Sequence, residues 1–413
     1  MINLEFICDA ESTAGYAAHA RLMLRAFHEV GLEGINLRVL SRQKEPVKAR
    51  LQEVDIAALR SFASTEFRKP DVRVFFEPAY WTYTEADVKT ICFCQWETTK
   101  IRGYDWKGKP EHNWVRQLGK MDGIFTSSMD AMKVFAGSGL EGYPLFGWIP
   151  GPIFPHTVYG ELPIPGLTVT EKGEIIPKEE RPVVVGYMAH WDPRKNPDTF
   201  LRDTMVAFDR KEVAILLKTH GSMKFDDGAR IRNAVKGVRE VVGKDNAPEI
   251  FVITEPLTDM EVSQFFNTVD IYYAPSRGEG FSIPVSMACA ADKFPIVPTW
   301  GGPADYVPTH YQVGGTFSPA VGMGAFDWDQ HWFEIDERSA INALKSAYKN
   351  VKAGKKPHGY EEQGYVSLSR HVNDRAGPEV FVRAFRDAVL TVYKGESRQE
   401  RLGSVHQISE TNG

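Results

Sequence analysis

Residues 274–290 read APSRGEGFSIPVSMACA. The segment begins at the end of an apolar, β-rich run, Asp270–Pro275, and turns through Gly278-Glu279-Gly280. It leaves as a helix with Ser282 at its cap and Pro284 in its first turn. A strand that passes to a helix through glycines sets backbone N–H groups and the positive helix end at the carboxyl edge of a sheet. Open α/β sheets bind ligands at that edge, and a diphosphate is stabilised there. Gly278 and Gly280 let the main chain approach a ligand that a side chain would exclude. Glu279 has only Arg277 as an obvious partner; it either hydrogen-bonds ligand hydroxyls or stands solvated in a loop.

The same strand-to-helix rhythm runs outward in both directions. Upstream, strands are expected at Pro182–Met188, Val213–Lys218 and Glu249–Ile253, with helices at Pro197–Phe208, Ala229–Val242 and Asp259–Asn267. Asn196 and Pro197 supply the cap and first position of the first of these helices. Downstream come a strand at Phe294–Pro298 and helices near Ser339–Asn350, Glu361–Ser369 and Glu379–Tyr393. Nearer the amino terminus, Ile2–Cys8, Asn36–Leu40, Val72–Phe76, Thr90–Cys94 and Gly123–Thr126 read as strands. Ala17–Val30, Asn113–Leu118 and Asp130–Phe135 read as helices. Repeated βαβ units imply parallel, doubly wound sheets.

A Pro- and Gly-rich stretch, Tyr143–Lys178, interrupts the rhythm. At 413 residues the chain exceeds one ordinary core. Two α/β domains are therefore expected, 1–150 and 181–375, joined by an irregular connection over 151–180. A helix over 376–395 is expected to pack back on the first domain, ahead of a polar, disordered tail at 396–413.

Composition excludes several classes. The net charge of −5 creates no field that would by itself draw the chain to nucleic acid or an anionic bilayer. No run approaches the ~18 apolar residues of a membrane span. The amino terminus starts directly on a strand pattern, so a cytoplasmic protein is expected. Cys8, Cys92, Cys94 and Cys289 lack zinc-site spacing and read as reduced core residues. His19, His190 and His220 have no metal-ligand spacing either.

With those motifs in place, the chain resembles the retaining GT-B glycosyltransferases, group 1, which include many mannosyl- and glucosyltransferases. That family carries a similar P-S-x-x-E-G-F-G-x-P-x-x-E stretch. The likeness continues into Pro295–Val307 (PIVPTWGGPADYV) and upstream to Asp192–Phe200 (DPRKNPDTF). In the first domain it takes in Gln95–Ile101, Asp122–Val134 and Trp148–Phe154. It implies two Rossmann-like domains facing across a cleft, with a UDP- or GDP-sugar as donor substrate and no further cofactor.

Carried over by resemblance, Glu279 contacts the donor hexose, while the Phe281, Ser282 and Ile283 backbone borders the sugar or phosphate. Lys195, with Arg194, neutralises the diphosphate, and Lys218 is a second candidate for the same phosphates. Charge grows on the leaving group in the transition state, so fixed cations there lower the barrier selectively. Cations are otherwise unfavourable at a helix amino terminus, so an anion is expected beside Arg194 and Lys195. The family's second acid, which holds the ribose, falls on Met287 here.

In the first domain, Gly15 in the loop Asp9–Tyr16 is expected to make a close approach to a ligand. Glu97 and Trp96 are expected on the acceptor side, with Glu97 otherwise pairing with Lys100. The aromatic residues Tyr80, Trp81, Tyr83, Tyr104 and Trp106 could stack on a sugar or base, or be core or rim. Asp327-Trp328-Asp329 matches a metal-binding D-x-D, but in the wrong context for this fold, so no metal site is expected.

The acceptor is open: a glycan, a lipid-linked sugar, or hydroxymethylated bases in viral DNA. Epimerisation or hydrolysis of a nucleotide-sugar, and a non-catalytic glycan- or partner-binding role, are the competing readings.

Overall fold

The computed structural model describes residues 1–12, 14–43, 51–140, 144–221, 227–323, 326–327, 329–361 and 364–395. The tail expected at 396–413 lies outside the described residues. The chain forms two compact units, Met1–Ile153 with Phe326–Gln330 and the segment from Arg375 on, and Phe154–Ala325 with His331–Asp374.

In the first unit, β1 (Ile2–Cys8), β2 (Ile35–Ser41), β3 (Val72–Phe76), β4 (Lys89–Phe93), β5 (Gly123–Thr126) and β6 (Leu145–Trp148) make one parallel sheet. Its order is β2-β1-β3-β4-β5-β6. The helices are α1 (Gly15–Val30), α2 (Glu53–Ala63), α3 (Trp114–Leu118) and α4 (Met129–Ala136). The β1 and β3–β5 side chains are almost wholly buried, which is why these strands read as continuous apolar runs. Helix α2 was not evident from sequence, and β6 falls inside the stretch read as irregular.

The second unit repeats the plan. Strands β7 (Val183–Trp191), β8 (Val213–Gly221), β9 (Glu249–Ile253), β10 (Ile271–Tyr273), β11 (Phe294–Pro298) and β12 (Gln312–Val313) run in the order β12-β11-β10-β7-β8-β9. Helices α5 (Pro197–Ala207), α6 (Asp227–Val242), α7 (Asp259–Thr268), α8 (Ile283–Ala290), α9 (Pro303–Tyr306) and α10 (Glu337–Lys352) accompany them. Helix α7 begins with a complete capping box, Thr258 and Glu261. A small antiparallel pair, β13 (Gly315–Pro319) and β14 (His331–Ile335), is added.

Three expectations change. The helix expected over Glu361–Ser369 is instead a hairpin, β15 (His358–Glu361) and β16 (Gly364–Ser367), followed by α11 (Leu368–Ala376). Tyr360 faces Tyr365 across it, and Gly364 at φ 117° takes a conformation that favours glycine. The irregular connection expected over 151–180 groups with the second unit from Phe154 on, and Leu162, Ile164 and Leu167 are buried within it. There Leu162 N–H donates to Thr268 Oγ1 at 2.9 Å. Phe326–Gln330 belongs to the first unit, where Arg102 grips Asp327.

The last helix, α12 (Pro378–Lys394), lies on the first unit's core. Phe381 and Phe385 pack on Phe27 at 5.3 and 4.8 Å between ring centroids, and Phe385 also meets Phe6. No helix among the described residues is long and apolar enough to cross a membrane. All four cysteines are free and buried.

Candidate functional site

In each sheet the chain first adds strands to one side of its opening strand and then returns to the other side. That reversal opens a crevice at the carboxyl ends of the two strands that flank it. In the second unit these are β7 and β10, hydrogen-bonded neighbours in the sheet. The loop after β7 carries Asp192–Asn196, and the loop after β10 carries Ser276–Ser282. Topology therefore brings together two segments separated by some 84 residues in sequence.

Glu279 lies between them and is 9% exposed. Its Oε1 accepts from Lys195 Nζ at 2.5 Å, and its Oε2 lies 3.5 Å from Arg194 Nη1. Burial alone would raise the carboxyl pKa, but Lys195 and then Arg194 hold it below the usual carboxylate range. Glu279 is therefore an ionised acid inside the protein.

This answers two expectations. Glu279 does not pair with Arg277, which bonds Glu334 Oε1 and the Pro193 carbonyl, each at 2.5 Å, and lies over Trp332. The anion demanded by Arg194 and Lys195 is supplied in part by Glu279 itself. Two cations against one carboxylate leave the trio with one positive charge in excess.

The two loops are fixed by backbone bonds. Arg194 Nη1 donates to the Gly278 carbonyl at 2.7 Å, and Arg277 N–H to the Arg194 carbonyl at 2.7 Å. Tyr187, buried on β7, donates to the Lys195 carbonyl at 2.6 Å and shares a bond with Ser276 Oγ at 2.8 Å. The Gly301-Gly302 turn lies directly on the Glu279 turn, with Gly302 N–H donating to the Glu279 carbonyl at 2.8 Å. A Cβ at Gly302 would fall 2.2 Å from the Gly280 carbonyl oxygen, so only glycine fits.

Ser282 and Asn196 stand at the cap positions of α8 and α5, but neither side chain caps its helix. Both adopt left-handed backbone, at φ 64° and 57°. Asn196 instead donates to the Pro275 carbonyl at 3.3 Å. Such strain in non-glycine residues costs about 1–3 kcal/mol and concentrates at ligand sites. It also leaves the first turn of α8 without a side-chain cap, the arrangement that receives anions. Gly278 and Gly280 do not take positive φ; Ser282 is the left-handed residue of this turn. Phe281 is buried against Tyr306, whose hydroxyl donates to the Phe281 and Ser282 carbonyls. Ile283 opens the helix.

Lys218 lies on β8 beside Met188 of β7. It is 7% exposed, and burial lowers its pKa while Glu255 opposes the shift. Met287 lies within α8, where no carboxylate replaces it.

The first unit places its residues differently. Trp96, expected on the acceptor side, is buried in the core: it packs 4.5 Å from Trp114, and its Nε1 donates to the Lys100 carbonyl at 2.8 Å. Glu97 is half-buried, and Lys100 pairs with Asp329 at 3.2 Å. Gly15 opens α1 with nothing within 4 Å of the position a Cβ would take, so the fold itself does not require glycine there. Asp9 closes its own loop, accepting from Glu11 N–H, Ser12 N–H and the Ser12 hydroxyl.

Both acids of the D-x-D are paired within the first unit. Asp327 accepts from Arg102 Nε at 3.0 Å and from the Tyr104 hydroxyl at 2.6 Å; Trp328 lies outside the described residues. Among the described residues, no group of three His, Cys, Asp or Glu could hold a metal ion.

With this geometry, the two-domain α/β fold is that of the GT-B glycosyltransferases. Among solved structures, the chain is similar to sucrose-phosphate synthase from Thermosynechococcus elongatus, at 11% identity over 100% of each chain and a TM-score of 0.52. It is also similar to the catalytic domain of starch synthase IV from Arabidopsis thaliana bound to ADP and acarbose, at 12% identity over 96% and 100% of the two chains (TM-score 0.55). A UDP-forming trehalose-phosphate synthase from Burkholderia xenovorans matches at 12% identity over 96% and 99% (TM-score 0.55). The chain spans 55% of a Staphylococcus aureus TarM chain, at 9% identity and a TM-score of 0.48, too slight a likeness to reason from. Neither a family model nor a curated protein matches the sequence. At these identities the likeness fixes the fold and leaves the chemistry to the residues.

Proposed function

We propose that the chain is a retaining hexosyltransferase that moves a sugar from a nucleoside-diphosphate donor to an acceptor hydroxyl without a metal ion. The observation that carries this reading is the trio Glu279, Lys195 and Arg194 at the β7/β10 reversal, beside an α8 amino end that no side chain caps. A diphosphate there meets an excess positive charge and the helix dipole together. As the glycosidic bond breaks, negative charge grows on the leaving phosphate, and Lys195 and Arg194 are fixed to receive it. Glu279, kept ionised, accepts hydrogen bonds from hexose hydroxyls and orients the ring.

The donor phosphate can assist departure and take the acceptor's proton, so this reading needs no separate carboxylate pair. A UDP- or GDP-sugar and a glycan or lipid-linked acceptor suit it; hydroxymethylated DNA is the acceptor that the chain's net charge of −5 favours least. Lys218, Phe281, Ser282 and Ile283 complete the proposed donor contacts, and Gly15 and Glu97 remain proposed contacts of the first unit.

Turnover of labelled UDP- and GDP-hexoses with a panel of acceptors tests the reading. Glu279→Ala should lower transfer by on the order of 10²–10³-fold while the fold is kept. Unchanged turnover in this variant, or a new nucleotide-sugar instead of a glycoside, would overturn it.

A further inference from the structure

His190 and His220 end the parallel pair β7 and β8, directly opposite each other in register, with ring centroids 4.0 Å apart. His190 stands on the strand that opens toward the trio, five residues before Lys195. Lys218 precedes His220 by two residues and so projects to the same face of β8. Four side chains able to carry positive charge besides the lysine at 218 thus gather at one sheet edge: His190, His220, Arg194 and Lys195.

Among the described residues, Glu279, Asp192 and Glu255 are the acids set against these groups. Glu279 is taken by Lys195 and Arg194, and Asp192 accepts the Lys195 N–H at 2.9 Å while favouring charge on His190. From the neighbouring elements, β10 contributes the neutral Tyr272 hydroxyl, which bonds Met188, and the end of β9 leads to Glu255, which faces Lys218.

We propose that His190 and His220 are an additional, proton-loaded arm of the phosphate site: His190 is neutral in the empty protein, and the contacting pair takes up one proton when a nucleoside diphosphate binds. The inference rests on the donor-site reading above and adds the residues and the proton that it lacks. Burial, then His220, then Lys195 push His190 down to about 4 in the empty protein. Buried against a second imidazole and beside two fixed cations, His190 stays uncharged at neutral pH. A diphosphate brings at least two negative charges to the same edge and reverses the local field, so the protonated form becomes the favoured one. By linkage, affinity then strengthens as pH falls, by up to about ten-fold per pH unit between the two apparent pKa values.

Calorimetric titration with UDP, GDP and ADP, in two buffers of different ionisation enthalpy at about pH 6, where a rise of about 3 in the His190 pKa would leave it protonated in the complex, counts the protons taken up. Wild-type protein should absorb about one proton more than His190→Gln or His220→Gln. The terminal phosphate's own titration, near pH 6 at roughly the usual second phosphate pKa, is common to all three proteins and cancels. The histidine resonances of wild-type protein, followed by NMR with and without UDP, give the same answer without a variant: His190 should titrate markedly higher in the complex. Binding with equal proton uptake in all proteins, and an unshifted His190, would overturn this inference while leaving the donor site intact. No binding by any of the three nucleotides would overturn the donor site, and this inference with it.

Discussion

Both units are doubly wound parallel sheets, reversing after one added strand in the first and after two in the second, and they use the crevice at the reversal in opposite ways. At the β7/β10 reversal of the second unit, two loops hold an ionised acid against two cations, and two non-glycine residues are strained at uncapped helix ends. At the β1/β3 reversal of the first unit, the polar groups are consumed locally. Asp9 caps its own turn, Arg42 pairs with Glu77 at 2.9 Å, and the Tyr16 hydroxyl accepts from Gln95 N–H at 2.8 Å. His19 is packed edge-on against Phe76. The fold supplies a crevice; side chains decide whether it is charged and open to an anion or closed on itself.

The largest expected effect tests the closed unit. Phe385→Ala removes a ring wedged between Phe6 and Phe27, and should cost about 3–5 kcal/mol in urea unfolding. A loss below 1 kcal/mol would mean that α12 is dispensable to that core. In the second unit, Gly302→Ala forces a Cβ into the Gly280 carbonyl and should cost about 1–3 kcal/mol, with the Glu279 turn displaced. Wild-type stability would show that the two turns are not packed backbone to backbone.

Lys195→Ala should weaken UDP or GDP binding by about 1–3 kcal/mol, the scale of a charge-assisted contact. Equal affinity by calorimetry would remove Lys195 from the anion site. A further effect, confined to acid conditions, concerns pH. Burial holds His19 neutral down to about 3, against an ordinary 6.5. Its contribution to stability is therefore complete above about 6.5 and is lost as pH falls toward 3, because the unfolded chain takes the proton first. His19→Leu should flatten the acid limb of the stability curve; an unchanged slope would show that His19 is protonated in the folded unit.

Much of this was legible in one dimension. The central strands of both sheets announced themselves because parallel strands buried on both faces are apolar throughout, whereas the edge strands β6 and β12 did not. The Gly278-Glu279-Gly280 turn and the Arg194-Lys195 pair stood out as charge where a helix end disfavours or a strand edge exposes it. What escaped were features with no local signature. Tyr187 is one more apolar-strand residue until its hydroxyl is seen on Lys195 and Ser276. Trp96 looked like a stacking surface until Trp114 was found against it. The hairpin at His358–Ser367 was hidden because what marks it, the pairing of Tyr360 with Tyr365 across the strands, is a contact and not a local pattern.

Sequence by itself determined the alternation of strands and helices, the two-domain plan and the chemical types placed at the strand ends, since these follow from periodicity and turn chemistry within a few residues. Tertiary structure alone decided that Glu279 meets Lys195 rather than Arg277, that His190 lies on His220, and that Asp327 is held by Arg102. The reason is that parallel strands join through crossovers. Neighbours at a sheet edge are set by strand order and register, which no local pattern of residues encodes.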